Sequence, residues 1–427
     1  MTDRFARLKA LQRPSNLSLS KYDSGSQQDF VDERPPGYSR SDTSGAERLA
    51  HILGASKKRN SQGEYLSLHC WHGGCPPCVP TISALRLLAA EAHEEFADPE
   101  QWLFLDTETT GLMGGTGTYP FLIGLAWWEG GGLEIEQLFM CEYGEERSLL
   151  VALAERLQER PVLVTFNGKS FDWPLLETRY RMTRSLSPPA LKAHLDFLHP
   201  ARNLWRRRLG SARLSELERH VLGWDRGADV VSEMIPQIYL DFVRSGHAEP
   251  LVPVFEHNQM DLRGLAGLAG RILSLFSEDV PSTGDGLELF GISRICERRG
   301  DVQRAREFYE RSIAFELPTE VDRAARLALA RLAKRAGDLE LARELWRSTQ
   351  GNTREGYEAY EQLAIYFEHK VRQPQQALAV AQDALAQLRR ANQANMIAPA
   401  VYRRTKSRFE RRLARLECKI RGMLPWK

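Results

Sequence analysis

Phe104-Leu105-Asp106-Thr107-Glu108-Thr109-Thr110-Gly111-Leu112 is the stretch on which the reading of this chain turns. With Trp102 and Leu103 before it, a short apolar run suited to a buried strand ends in two acids at i and i+2. Side chains alternate across a strand, so Asp106 and Glu108 share one face. Two carboxylates that close repel each other unless a cation lies between them. Hard divalent ions such as Mg²⁺ take oxygen ligands of this kind. A solvent-facing strand with incidental acids would lack the apolar flanks and would not end at a glycine-rich loop.

The neighbouring segments supply the layer around that strand. Pro120 to Trp128 and Leu133 to Met140 read as two more strands, and Gly130-Gly131-Gly132 between them is a hairpin signal. Glu145 to Arg160 has an amphipathic helical pattern with Leu149, Leu150, Leu153 and Leu157 on one side. Pro161 to Phe166 is a fourth strand, Trp173 to Met182 a helix and His194 to Leu198 a fifth strand; helices dominate from Leu214 to Phe276. The expected fold class is α/β, a mixed five-stranded sheet with flanking helices.

Two further motifs make the pattern specific. Phe166-Asn167-Gly168-Lys169-Ser170-Phe171-Asp172 follows the fourth strand, and Glu256-His257-Asn258-Gln259-Met260-Asp261 lies near the end of the segment. Together with Asp-x-Glu-Thr-Thr-Gly-Leu they resemble the three motifs of the DEDD-superfamily exonucleases, which have a ribonuclease-H-like fold. Asn-Gly-Lys-Ser-Phe-Asp, His199-Pro200-Ala201-Arg202 and His257-Asn258-x-x-Asp261 resemble the YprB-like branch of that superfamily. The resemblance covers roughly residues 100–277. It departs from the family in one respect. Members with a histidine place it five positions before the last Asp and members with a tyrosine four, whereas His257 and Asp261 are four apart. On a helix that spacing still stacks the two side chains on one face, though a surface histidine would fit the same sequence.

The resemblance implies a metal-dependent 3′–5′ exonuclease acting on single-stranded DNA or RNA. Asp106, Glu108, Asp172 and Asp261 would hold two Mg²⁺ or Mn²⁺ ions, and His257 would take the proton from the attacking water. Asn167 and Lys169 are candidates for positioning the phosphate, with a plain surface lysine as the alternative for Lys169. Thr109, Gly111 and Leu112 would line the 3′-terminal nucleotide. Asp196 reads better as a structural hydrogen-bonding acid. Arg202, Arg206, Arg207, Arg208 and Arg213 surround Trp205, a basic and aromatic stretch suited to phosphate contact and base stacking, with Arg206 the chosen candidate. A solvated helix face is the bland alternative. Gly114-Gly115-Thr116-Gly117 lacks the Gly-Lys-Ser/Thr ending of a phosphate loop and is a connection beside the site.

A second constellation is His69-Cys70-Trp71-His72-Gly73-Gly74-Cys75-Pro76-Pro77-Cys78. His69, Cys70, His72, Cys75 and Cys78 offer ligands for a structural Zn²⁺ or an iron–sulfur cluster. Against ligation stand the lack of a second Cys-x-x-Cys and the crowding of the five. A redox Cys-Pro-Pro-Cys is disfavoured because no thioredoxin-like unit surrounds it.

The organisation expected along the chain is fourfold. Residues 1–60, rich in Ser, Asp, Gly, Arg and Gln, read as a largely disordered arm. Residues 61–98 form a small Cys/His-containing segment with a short hairpin between Gly63 and Pro80 and a helix from Thr81 to Phe96. Residues 99–280 are the nuclease-like domain, and 286–427 a helical array. In that array Gly300-Asp301-Val-Gln-Arg-Ala305 is echoed 37 residues on by Gly337-Asp338-Leu-Glu-Leu-Ala342, with a weaker copy from Phe367 through Pro374 to Ala377. The offset is near that of tetratricopeptide repeats, which usually recruit partners. Between Val401 and Lys427 ten Lys/Arg stand against two Glu, either a phosphate-touching tail or the solvated face of a last helix.

Composition narrows the classes. Hydrophobic residues at 42% and charged residues at 27% suit an ordinary globular protein, and a net charge of +2 excludes a polycation. No apolar run spans a membrane, no signal-like segment opens the chain, and a cytoplasmic location is the default expectation. Two rivals to the exonuclease remain, a non-catalytic nucleic-acid-binding or protein-interaction scaffold and a structure-selective endonuclease. All four acids are present, which argues against the scaffold.

Overall fold

In a computed structural model of the chain, β3 (Trp102–Thr109) lies between a parallel neighbour, β6 (Val162–Thr165), and an antiparallel one, β4 (Pro120–Glu129). The structure describes residues 44–74, 79–89, 92–111, 117–183, 185–276 and 284–422. β5 (Gly132–Phe139) returns from β4 through Gly130 and Gly131, whose φ values of 60° and 78° are those a two-residue hairpin turn requires. β7 (Ala193–Asp196) pairs parallel to β6, and β1 (Ser56–Asn60) and β2 (Gly63–His72) extend the other side. Among the described residues the sheet thus has seven strands, in the order β1-β2-β5-β4-β3-β6-β7.

Two strands more than expected come from a segment assigned to an arm and a Cys/His unit. Residues 44–60 form α1 (Gly45–Leu53), opened by a capping box between Ser44 and Glu47, and then β1. β1 reads Ser-Lys-Lys-Arg-Asn and is almost wholly exposed. It carries no apolar alternation and is held by its ladder to β2 and, at its end, by Asn60 Nδ2 donating to Ser148 O at 2.8 Å. The hairpin therefore precedes Gly63 rather than following it. Residues 1–43 lie outside the described residues. The helix expected from Thr81 to Phe96 is short, α2 (Ile82–Leu88). Arg299 takes up two carbonyls of its last turn, donating to Leu87 O at 3.0 Å and Leu88 O at 2.7 Å. Such carbonyls have no partner within the helix itself.

Helices cover both faces. On one, α3 (Glu146–Glu159) and α4 (Asp172–Met182) bury Leu149, Leu153 and Leu176 against Leu103, Leu105 and Leu163. α7 (Ile235–Ser245) adds Tyr239, stacked on Phe121 at 4.0 Å. On the other face, Trp102 and Phe104 pack with α5 (Leu198–Leu209) and the long α8 (Val252–Leu275). The short α6 (Leu214–Leu217) lies between them in sequence. α8 belongs to both layers: its first turn, with Val254 and Phe255, joins the first core and Leu262 onward the second.

The second core continues into the helical array. α9 (Gly286–Arg299) lies on α5, where a Cβ at Gly291 would sit 2.6 Å from Asn203 O. α9 pairs with α10 (Val302–Ile313), α11 (Thr319–Ala336) with α12 (Leu339–Thr349), and α13 (Arg354–Ile365) leads to α14 (Pro374–Gln393) and α15 (Pro399–Ile420). The repeat in the sequence is the turn of each pair. Gly300 and Gly337 take left-handed φ values of 82° and 84°, and Asp301 and Asp338 cap the next helix by accepting from Arg304 N and Leu341 N. In the third copy Arg372 holds the left-handed position, φ 58°, before Pro374. Of the basic C-terminal stretch, Arg412, Arg415 and Lys419 turn inward to Glu368, which is fully buried. Among the described residues no helix is long and apolar enough to cross a membrane.

Candidate active site

The acids meet where β3 ends. Asp106 and Glu108 face the side of Trp102 and Phe104, the side on which α8 crosses the sheet. Opposite Asp106 in the ladder is Gly124, where a Cβ would lie 2.1 Å from Asn258 Oδ1. The missing side chain admits Asn258, which donates from Nδ2 to Asp106 Oδ2 at 2.8 Å. Asn258 is itself fixed, its Oδ1 accepting from Gln137 Nε2 at 2.8 Å. Gln137 Oε1 in turn accepts from Gln259 Nε2 at 2.8 Å.

Asp172 is the first residue of α4 and arrives over the sheet's edge, accepting from Thr107 Oγ1 at 2.5 Å. Asn167, in the loop before it, has a left-handed φ of 73°, and Asp196 fixes that loop by accepting from Asn167 N, Lys169 N and Leu198 N, each at 3.0 Å. Asp196 is thus the structural acid expected.

His257 and Asp261 stand one turn apart on α8, with Nε2 3.6 Å from Asp261 Oδ2 and 4.0 Å from Glu108 Oε1. Among the described residues, Glu108, His257 and Asp261 form the one set of three such donors within 4.8 Å of one another. Asp106 and Asp172 lie outside that triad but within electrostatic reach of it. Burial pushes the Asp106 carboxyl well above its ordinary range, and Asp261 and Asp172 push it further. Glu108 is raised well above its range by burial, then by Asp106, Asp261 and Asp172. Burial carries Asp172 up to about 6 against the hydrogen bond from Thr107. Among the described residues neither Asp106 nor Asp172 has a lysine or arginine ion pair. Buried oxygens with this excess of negative charge fit hard divalent cations.

Three partners here were not singled out from the sequence. Arg226 bridges Glu218, Asp229 and Asp261 through its guanidinium. Asp229 lies 2.7 Å from His257 Nδ1. Burial opposes its ionisation, but hydrogen bonds from His257 and Arg226 hold the carboxyl below its usual range. An ionised carboxylate only accepts, so Nδ1 donates to Asp229 and Nε2 is the ring atom directed toward Glu108 and Asp261. Asn258, quoted in the motif without a role, is the third. The signal for it was its place beside His257; Arg226 and Asp229 fall in Gly223–Val231, an irregular segment without a pattern to mark it.

The other expected residues are scattered. Thr109 is buried and donates to Gly111 O at 2.9 Å, next to the acids, while Leu112 and the glycine-rich residues 114–116 lie outside the described residues. Asn167 and Lys169 are exposed on the loop leading to Asp172. Arg206 is exposed on α5 and makes no contact with the acid cluster. Trp205 cannot stack on a base: it is fully buried and donates from Nε1 to Glu288 Oε1 at 2.7 Å, anchoring α9. The basic aromatic stretch is in part an internal seam.

The five-ligand Cys/His cluster also divides. Alternation along β2 turns His69 away from Cys70. His69 pairs with Glu134 and Glu136 at 3.2 Å each. Cys70 Sγ and His72 Nε2 stay together at 3.6 Å. Burial pushes the Cys70 thiol up to about 11. Cys75 and Cys78 lie outside the described residues.

The RNase H superfamily model matches residues 103–273, the span from β3 through α8. YprB of Bacillus subtilis strain 168 is 31% identical over 286 residues, 66% of this chain and 68% of YprB. The chain belongs to the YprB family of the RNase H superfamily. Among solved structures, the family B DNA polymerase from the hyperthermophilic archaeon Pyrobaculum calidifontis aligns at 16% identity with a TM-score of 0.33. That alignment covers 49% of this chain and 28% of the polymerase. Superfamily membership supports a nuclease-type hydrolase that uses divalent metal, and the YprB-family chain brings Glu108, His257 and Asp261 together as a possible metal-binding set.

Proposed function

We propose that this protein is a 3′–5′ exonuclease of single-stranded DNA or RNA, dependent on Mg²⁺ or Mn²⁺. The observation that carries the reading is the gathering of Asp106, Glu108 and Asp172 with Asp261 and His257 at one end of β3, with more buried acid than the single guanidinium of Arg226 offsets. Asp106, Glu108, Asp172 and Asp261 would hold two ions. When bound, such ions make water more acidic and stabilise charge on the attacked phosphodiester.

The chain's own groups do the rest. His257 accepts at Nε2 the proton of the attacking water, and Asp229 keeps its ring in the tautomer and orientation that allow this. Asn258 holds Asp106 in a single rotamer. Arg226 takes one oxygen of Asp261 and leaves the other directed at His257. Thr109 and Gly111 would face the 3′-terminal nucleotide, and Asn167 and Lys169 the phosphate. Residues 99–280 act as the catalytic domain, and the TPR-like helices of 286–427 recruit a partner or guide substrate.

Purified protein incubated with 3′- and 5′-labelled DNA and RNA oligonucleotides in Mn²⁺, Mg²⁺ or EDTA tests this. Metal-dependent ladders shortening from the 3′ end are expected. Internal cuts at defined structures would replace the exonuclease with an endonuclease, and inert protein that still binds oligonucleotide would leave a scaffold.

A further inference from the structure

The edge of β7 and the side of α5 border three cavities of about 320, 310 and 260 Å³. The first two share Lys169 and His194, and the last two share His199 and Arg299, so they form one continuous groove. It begins at Lys169, three residues before Asp172, and at Lys192. It then follows α5 past His199 and Asn203, residues one turn apart on a single stripe, to Arg298 of α9. The next residue on that stripe is Arg207.

Lys169, Lys192, Arg298 and Arg299 line the groove among mostly apolar neighbours; Arg299 is committed to Leu87 O and Leu88 O, while Arg207 and Arg294 pack over the Phe290 ring behind Arg298. Arg207, Arg294 and Arg298 crowd together at the far end, and among the described residues none of them has an ion pair. Burial, then Arg298 and Arg207, disfavour the charged form of Arg294. Lys192 has only an exposed contact to Glu95 at 3.8 Å. An ion pair of that kind is weak in water. Asp196, the acid on the floor, is committed to three backbone N–H groups. Crowded cations of this kind are stabilised by a ligand that brings regularly spaced negative charge. Along the chain the groove runs roughly 25 Å, counting the rise of β7 and of two turns of α5. Its cavities have the size of single nucleotides rather than the breadth of a duplex.

We propose that this groove binds the phosphate backbone of a single-stranded nucleic acid and holds the strand upstream of the bond at the acid cluster. The proposal rests on the nuclease reading for its substrate but assigns the tract to the α5–α9 seam rather than to the basic tail of α15.

Fluorescence anisotropy with labelled 20-nucleotide single strands in EDTA, across a salt series, measures binding without cleavage. The double variant Lys192→Glu/Arg298→Glu is expected to lower affinity at least about tenfold and to reduce the slope of log K against log salt by about 1.5. Arg403→Glu/Arg404→Glu, on the exposed face of α15, is expected to change neither. Thermal midpoints of both variants serve as the check on folding, and duplex of the same length is expected to bind more weakly than single strand to the unaltered protein. Undiminished binding by the groove variant, or an equal loss in the α15 variant, overturns the proposal. An unaltered protein that binds strands through the groove yet cleaves none in Mn²⁺ would overturn the nuclease reading instead.

Discussion

Asp229 Oδ1 sits 2.7 Å from His257 Nδ1 and ties an irregular segment to the helix that carries the candidate base. The same carboxylate receives Arg226 at 3.2 Å through its other oxygen, and Arg226 reaches on to Asp261. His257, Asp229, Arg226 and Asp261 are therefore one network, joining the candidate base to a candidate metal-site acid. Asp229→Asn is expected to lower kcat about 10- to 100-fold with KM changed little, because the imidazole loses its fixed tautomer while the substrate contacts persist. Steady-state kinetics on an oligonucleotide checks this. A kcat within about twofold of the unaltered enzyme would mean that His257 acts without an orienting partner.

The acids oppose one another until a cation joins them, and pH reveals it. Asp106 and Glu108 are raised well above their ordinary values and Asp172 to about 6. A carboxyl with a raised folded pKa holds its proton longer in the folded protein than in the unfolded chain. The contribution of these three carboxyls to the stability of the metal-free protein therefore falls as pH rises from about 4 through about 6, against the smaller opposite contribution of His194, whose folded value is lowered to about 4. Differential scanning fluorimetry in EDTA is expected to record that decline, and Mn²⁺ to reverse it at pH 7. Asp106→Asn, which removes one of the opposed charges, is expected to raise the metal-free midpoint by about 2–4 °C and to abolish most of the Mn²⁺ effect.

Gly124 matters through what it leaves open. A methyl group there would meet Asn258 Oδ1 at 2.1 Å and push the amide off Asp106. Gly124→Ala is expected to cost about 1–3 kcal/mol of stability in urea unfolding and to lower Mn²⁺ affinity in calorimetry. An alanine variant with unaltered metal affinity would show that Asn258 does not hold Asp106 in place.

Asp106 and Glu108 were legible from their i, i+2 spacing at the end of an apolar strand, and Asp172 and Asp261 from the resemblance of the motifs around them. The central strands were legible as well, since Trp102–Leu105 and Val162–Thr165 are buried on both faces and leave continuous apolar runs. β1 was not: Lys57, Lys58 and Arg59 pair with β2 in the ladder but carry no apolar alternation. Trp205 misled because a buried indole beside arginines looks, in sequence, like a stacking platform, and only its bond to Glu288 places it in the seam with α9. Arg226 and Asp229 act through tertiary contact, which no local period announces.

Glu368 tests the array separately from the site. It is fully buried and receives Lys419 Nζ at 2.8 Å and Arg415 Nη2 at 2.6 Å from α15. Glu368→Gln removes the buried charge that faces Arg412, Arg415 and Lys419 and is expected to destabilise the protein by about 3–5 kcal/mol. Chemical denaturation measures it, and a loss below about 1 kcal/mol would mean that α15 is held by its apolar contacts alone.

Everything chemical in this account depends on Asp106, Glu108, Asp172 and Asp261 sharing cations. Anomalous diffraction from crystals soaked in Mn²⁺ tests that most directly. The account predicts two peaks about 4 Å apart, bounded by those four carboxylates. A cleft without anomalous density at saturating Mn²⁺, or ions held elsewhere on the chain, would contradict it.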